Sequence, residues 1–200
     1  IILTCDAYGV MPPIAYLTPE QMLYQFVSGY TSKIAGTEIE LGREPEITFS
    51  TCLGAPFMVH RPSVYVTLLK HKIMRHSVQC WLVNTGWIGG PFGIGKRISI
   101  EYTRTLVNAA LNGKLSDVEF YTDPIFQFQV PKSCEGVPAG VLNPAESWPS
   151  KNIYMEKYGQ LALYFIDNFK KLAASCPAEV TEAGPRIHNV ISNRSGPVHE

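Results

Sequence analysis

The sequence predicts an α/β fold, and three observations carry that expectation. Short apolar runs with strand character, residues 1–5 and 80–83, alternate with segments whose apolar residues recur every three or four positions. Turn and cap chemistry falls between them, at residues 9–13, 18–21 and 54–56 and at Gly113. No internal repeat, low-complexity tract or break in composition divides the chain, so its 200 residues read as one compact unit with a loose tail.

The elements follow in order. Residues 1–5 form a buried strand that ends in Asp6, and Gly9, Pro12 and Pro13 break the chain after it. Thr18, Pro19 and Gln21 mark a helix start: Thr caps, Pro suits the first turn, and Gln three positions after the Thr completes a capping box. This helix carries Met22, Leu23, Phe26 and Val27 on one side and stops near Gly29. Residues 36–45 read as loop, 47–52 as extended and 54–56 as a turn. Helical spacing returns with Val64, Leu68, Leu69 and Ile73 in residues 64–74. After the apolar strand 80–83 comes a glycine-rich loop, residues 85–96. Residues 100–112 are helical, with Leu106, Val107, Ala110 and Leu111 inward and Gly113 as the stop. Apolar and polar residues alternate over 125–130, and 133–150 is a Pro- and Gly-punctuated loop. The clearest helix is 152–174, where Tyr154, Tyr158, Leu161, Phe165, Phe169 and Leu172 repeat at three- and four-residue intervals. Beyond Gly184 and Pro185 the chain turns polar and is expected to fray.

Composition narrows the function classes. Hydrophobic residues make up 46% of the chain at zero net charge, which excludes a disordered segment. Lys+Arg and Asp+Glu both number 17, which removes the electrostatic case for a nucleic-acid partner or an anionic membrane surface. The densest apolar stretch, residues 161–166, ends at Asp167, far short of the ~20 residues that span a bilayer. Charged residues are 17%, below the roughly 25% of an average soluble domain, so part of the surface is expected to lie against something else. The first residue is not Met and already belongs to a strand, with no basic n-region or cleavage site, which reads as a piece of a longer chain. Cys5, Cys52, Cys80, Cys134 and Cys176 are odd in number and widely spaced, the pattern of reduced, buried thiols in an intracellular protein. His60, His71 and His76 have no cysteine pair beside them, which argues against zinc and for surface histidines.

Chemistry concentrates in the glycine-rich loop. Gly90 to Lys96 spells G-x-x-x-x-G-K, but Arg97 follows where a phosphate-binding loop needs a Ser or Thr for magnesium, and Pro91 has no N–H to donate. The expectation is instead a loop whose glycines let backbone approach a nucleotide, with Lys96 and Arg97 supplying charge. Arg97 is equally readable as an exposed cation with no ligand. Thr103, at the start of the next helix, caps it or offers a hydroxyl to a ligand. Asp6, at the end of an apolar strand, is either a metal-linked carboxylate or a structural one.

Several strings resemble the ATP-dependent phosphoenolpyruvate carboxykinases: LTCDAYGVMPP (3–13), LTPEQM (17–22), AGTE (35–38), GAPF (54–57), LVNTGW (82–87), GIGKRISI (93–100) with YTR (102–104), NAALNG (108–113) and FIDNF (165–169). They run collinear to Gly184-Pro185. The resemblance implies the C-terminal part of that family's mononucleotide-binding domain over residues 1–186, a mixed sheet with flanking helices, followed by a polar tail, 187–200. It implies the gluconeogenic lyase reaction of oxaloacetate and ATP to phosphoenolpyruvate, ADP and CO2, with Mg2+ at the nucleotide and Mn2+ as second ion. By position it assigns ATP contacts to Arg97, Ile98 and Thr103. The family's phosphate loop, metal ligands and substrate arginines belong to an N-terminal half upstream of residue 1, so the chain alone is expected to be inactive. A non-catalytic nucleotide-binding or interaction remnant is the alternative. A homo-oligomer is left open, and the resemblance implies a cytoplasmic protein; a glycosomal relative would end in S-K-L, whereas this chain ends Pro197-Val198-His199-Glu200. Departures from the family pattern stand at Tyr16, Leu53 and Ile88.

Overall fold

The computed structural model describes residues 1–33 and 45–187. The AGTE string at 35–38 and the tail from residue 188 lie outside the described residues. The described elements are β1 (Ile2–Thr4), β2 (Ile14–Leu17), α1 (Pro19–Ser28), β3 (Tyr30–Lys33), β4 (Glu46–Phe49), α2 (Pro62–His76), β5 (Cys80–Asn84), β6 (Trp87–Ile88), β7 (Lys96–Arg97), α3 (Ile100–Leu111), β8 (Phe120–Thr122), β9 (Gln129–Pro131), the single turns α4 (Ala139–Leu142) and α5 (Pro144–Ser147), α6 (Lys151–Lys170) and α7 (Ala178–Glu182). Among the described residues, five strands form one sheet in the order β1-β5-β2-β9-β8. β1 runs parallel to β5, and the remaining pairs are antiparallel, which makes the sheet mixed. β3 pairs with β4, and β6 with β7, as separate ribbons.

The alternation of side chains along β5 divides the core in two. Cys80 and Leu82 face a large cluster with Leu23 and Val27 of α1 and Tyr158, Leu161 and Phe165 of α6. Trp81 and Val83 face a smaller cluster with Leu106, Ala109 and Ala110 of α3. The sheet is therefore sandwiched between α1, α2 and α6 on one face and α3 on the other. Tyr24 stacks on Phe169 at 4.3 Å, and Phe126 meets Phe165 edge-on at 4.8 Å, which ties α1 and the β8–β9 turn to α6. Aromatic pairs of this kind add about 0.5–1.5 kcal/mol each beyond their buried area.

Helix α1 starts as its sequence dictates. Gln21 N–H donates to Thr18 Oγ1 at 3.2 Å, and Thr18 N–H donates to Gln21 Oε1 at 3.0 Å. It ends at Gly29, which is left-handed at φ 60; a Cβ there would also lie 1.7 Å from the Ser50 carbonyl oxygen. Helix α6 buries the expected Tyr154, Tyr158, Leu161, Phe165 and Phe169. All five cysteines are free, and His60, His71 and His76 are exposed. No helix among the described residues is long and apolar enough to cross a membrane.

Elsewhere tertiary context overrides the pattern. The sequence offers no signal for β2, β3, α4, α5 or α7, short elements that exist only through their partners. Helix α2 buries Val66 and Ile73, while Val64 and Leu68 are exposed at 42% and 58%. Leu111 faces outward because α3 presents Leu106, Ala109 and Ala110 to the sheet instead. The extended run expected over 47–52 turns into a 3-10 helix at Thr51. The alternating run 125–130 is mostly a turn: Asp123 accepts from the N–H groups of Ile125 and Phe126, Gln127 is left-handed at φ 58, and pairing resumes only in β9. The family departures occupy unlike places. Tyr16 packs edge-on against Trp81 at 5.2 Å, Ile88 pairs with Lys96 in the ribbon, and Leu53 is left-handed at φ 59 and exposed.

Candidate functional site

The sequence-predicted residues sit where β5 leaves the sheet. After Asn84 the chain makes one extended step, Thr85, whose N–H and hydroxyl both donate to the Thr4 carbonyl at the end of β1. The segment expected as an open glycine loop is a β-ribbon, with Trp87 opposite Arg97 and Ile88 opposite Lys96. Its glycines serve backbone-on-backbone packing. A Cβ on Gly86 would lie 2.1 Å from the Asp6 carbonyl oxygen, and one on Gly95 would lie 2.1 Å from that of Gly90. The amides point inward as well: Phe92 donates to Ala7, and Ile94 and Gly95 both donate to Pro91. The G-x-x-x-x-G-K string is thus a ribbon turn and not a phosphate cradle, because the N–H groups of Phe92, Ile94 and Gly95 already have backbone partners and Pro91 has none to offer.

Asp6 belongs to the structural side of the same region. It is fully buried, and its oxygens accept from the N–H groups of Tyr8, Val10 and Met11 and from the Tyr30 hydroxyl at 2.7–2.9 Å. Burial pushes its carboxyl upward, against the pull of those donors. Asn84 completes the knot by accepting from Asp6 and Gly86 and donating to the Met11 carbonyl. Asp6 therefore fixes the turn after β1, the alternative to a metal-linked carboxylate.

Arg97 points out of the knot. Its side chain is exposed, its Nε donates to the Thr85 carbonyl at 3.1 Å, and its guanidinium lies 5.7 Å from the centre of the Trp87 ring. Burial raises the Cys5 thiol, and the neighbouring Arg97 charge opposes that rise. Ile98 is inside, 6% exposed, and its N–H closes the ribbon onto the Gly86 carbonyl. Ser99 caps α3 by accepting from Tyr102 N–H. Thr103, read from sequence as a possible cap, instead donates its hydroxyl back to the Ser99 carbonyl at 3.1 Å.

Between β1 and α3 runs a groove of about 390 Å3, lined by Ile1, Leu3, Thr85, Thr103, Arg104, Val107 and Asn108. Thr103 is in its wall, whereas Arg97 lies outside the lining and is joined to it by its bond to the Thr85 carbonyl, so Thr85 links the two predicted residues. Thr85, Trp87 and Asn108 carried no sequence signal of a role here; their place depends on the ribbon register and on the groove that opens between β1 and α3. A larger cavity, about 650 Å3, lies on the other flank of α3 among Asn112, Lys114 and Cys134, and contains none of the predicted residues. Among the described residues no three His, Cys, Asp or Glu side chains converge to hold a metal ion.

The described residues define an α/β protein, a mixed sheet flanked by helices, with a cationic ribbon and a helix start beyond the end of β5. Comparison with known families makes this specific. Residues 1–140 match the phosphoenolpyruvate carboxykinase family model, and the chain belongs to that family. It is 54% identical over 183 residues, 92% of its length, to phosphoenolpyruvate carboxykinase (ATP) of Pelobacter propionicus. The corresponding figures are 53% over 186 residues (93%) for the protein of that name from Caldanaerobacter subterraneus, and 53% over 187 residues (94%) for that from Rhizobium etli. The aligned region is 34–35% of these relatives, so the chain spans about a third of their length.

Proposed function

We propose that this chain is the part of an ATP-dependent phosphoenolpyruvate carboxykinase that grips the nucleotide, corresponding over residues 1–186 to the later part of its nucleotide-binding domain. In that reaction oxaloacetate loses its carboxylate as CO2, and the oxygen of the enolate left behind takes the γ-phosphoryl of ATP. Catalysis of this kind rests on positioning and on neutralising charge that develops on enolate and phosphate. The observation that carries the proposal is an exposed guanidinium bonded to Thr85, a residue that lines the same groove as Thr103, in a chain of this family.

Each residue has a role its geometry permits. Arg97 keeps its two terminal nitrogens without a partner among the described residues, so its planar donor edge is available to nucleotide oxygens or to a base face. Ile98, buried and with its N–H on the Gly86 carbonyl, seats the end of the ribbon from which Arg97 projects. Thr103, whose one hydroxyl hydrogen goes to Ser99, meets a ligand as an acceptor. Asp6 has both oxygens taken, so these residues do not fit the Mg2+ or Mn2+ of the reaction; we assign those ligands, and the oxaloacetate contacts, to the portion of the relatives that this chain does not span.

ATP titration of the full-length polypeptide tests the proposal. Arg97→Ala should weaken ATP binding about tenfold or more, the size of a lost charge-assisted contact, and leave the KM for oxaloacetate unchanged. Unchanged ATP affinity in a folded Arg97→Ala variant would remove the site.

A further inference from the structure

Trp87 and Arg97 are directly opposite in the β6–β7 ribbon, so their side chains share a face. Trp87 is 8% exposed and rests with Cys5 and Ala7, which fixes its ring, and Phe92 meets that ring edge-on at 5.5 Å. The guanidinium lies 5.7 Å from the ring centre, within reach of a cation–π contact. On the remaining side, Arg97 Nε donates to the Thr85 carbonyl, and Thr85 is itself tied twice to Thr4. An exposed arginine ordinarily samples many rotamers and loses that freedom on binding. Here a ring and a carbonyl hold it from two directions, and both are anchored in rigid backbone.

The geometry points to Trp87 as a positioning residue: its ring and the Thr85 carbonyl preset the plane of Arg97, so that the terminal N–H groups face the nucleotide before it arrives. This rests on the reading of Arg97 as an ATP contact. Trp87 acts through Arg97, and the two substitutions should therefore not add.

The test is a double-mutant cycle on the full-length polypeptide, with ATP affinity by calorimetry and melting temperature as readouts. W87L should weaken ATP binding about three- to tenfold, in the range of a partly desolvated cation–π contact. W87F, which keeps a ring under the guanidinium, should restore affinity to within about twofold of wild type. In the R97A background W87L should cost nothing further. A W87L effect that persists undiminished on R97A overturns the inference while the Arg97 site stands. If R97A alone binds ATP like wild type, the Arg97 reading fails and the inference fails with it. Should W87L not fold, W87M, which keeps bulk without a π face, takes its place in the cycle: the same loss, absent on R97A, is expected, and unchanged ATP affinity in folded W87M overturns the inference.

Discussion

The turn after β1 and the rim above α3 are neighbours with opposite electrostatic fates. Both carry residue types that read as active-site chemistry, a strand-terminal carboxylate in one and a glycine-rich cationic segment in the other. In the first, every side-chain polar atom of Asp6 and Asn84 is met by backbone or by Tyr30, in a buried region. In the second, Arg97 uses one nitrogen on Thr85 and keeps its other two outward. The difference lies in where the hydrogen-bonding capacity ends up, not in the residue type. A buried group with all partners inside holds the fold, and an anchored group with donors left over can hold a ligand.

The largest expected effect belongs to the closed region. Asp6→Ala removes the acceptor for four donors, three of them buried and each costing about 1–3 kcal/mol when left unmade, so destabilisation should exceed about 3 kcal/mol. Denaturant melts of the full-length polypeptide would show this directly. A folded Asp6→Ala variant with near-native stability that had lost ATP-dependent activity would reverse the comparison and make Asp6 a site residue.

Asp123 sharpens the same side. It is buried and bonded to Ile125, Phe126 and the Tyr158 hydroxyl, and burial pushes its carboxyl up to about 6 from an ordinary 3.8. A raised carboxyl favours the protonated fold. Its stabilisation is therefore fully present below about pH 4 and lost as the pH rises through 6, a change of roughly 3 kcal/mol at full effect. The stability difference between wild type and Asp123→Asn should shift against wild type over that window. A difference that stays flat from pH 4 to 7 would mean that the donors, not desolvation, control this carboxyl.

These contrasts also show what the sequence could disclose. α1, β5 and α6 were legible because their signals are local: a capping box, an unbroken apolar run, and a three-and-four spacing sustained for five turns. β2 was not, because four residues between Pro13 and Pro19 become a strand only through β5 and β9. Asp123 and Tyr158 are 35 positions apart, and no spacing announces their hydrogen bond. At the site, Arg97 and Thr103 were legible as residue types after an apolar strand. The partnership of Arg97 with Trp87 was not, since it requires the ribbon register that a loop reading conceals. The glycines misled for a physical reason: close approach of backbone to backbone and of backbone to ligand demand the same residue.

The open region should answer in ligand affinity instead of stability. Arg97→Ala, being exposed, should leave the melting temperature within about 1 kcal/mol of stability while ATP binding falls about tenfold or more. Arg97→Lys should recover only part of the loss, because an ammonium neither matches the planar fork nor donates to Thr85 from the same place. Full recovery by Lys would reduce the role of Arg97 to bulk charge and weaken the contrast with the closed region.

Thr103 carries the smallest expected effect and separates the two regions most finely. Its hydroxyl donates to the Ser99 carbonyl, one turn back in α3, a bond that adds little to helix stability. Thr103→Val keeps the shape and removes only the oxygen. If the hydroxyl serves the fold, the cost appears in melting and ATP affinity per folded molecule is unchanged. If its free lone pairs accept from the nucleotide, melting stays within about 0.5 kcal/mol while ATP binding weakens by about 0.5–1.5 kcal/mol, roughly two- to tenfold. The second outcome is expected, with a smaller loss than in Arg97→Ala, because a neutral acceptor contributes less than a charged donor pair. Thr103→Ser retains the oxygen and should bind ATP like wild type. A valine variant that bound ATP like wild type beside a weakened serine one would assign the effect to the lost methyl packing in the groove wall, and the hydroxyl would drop out of the site.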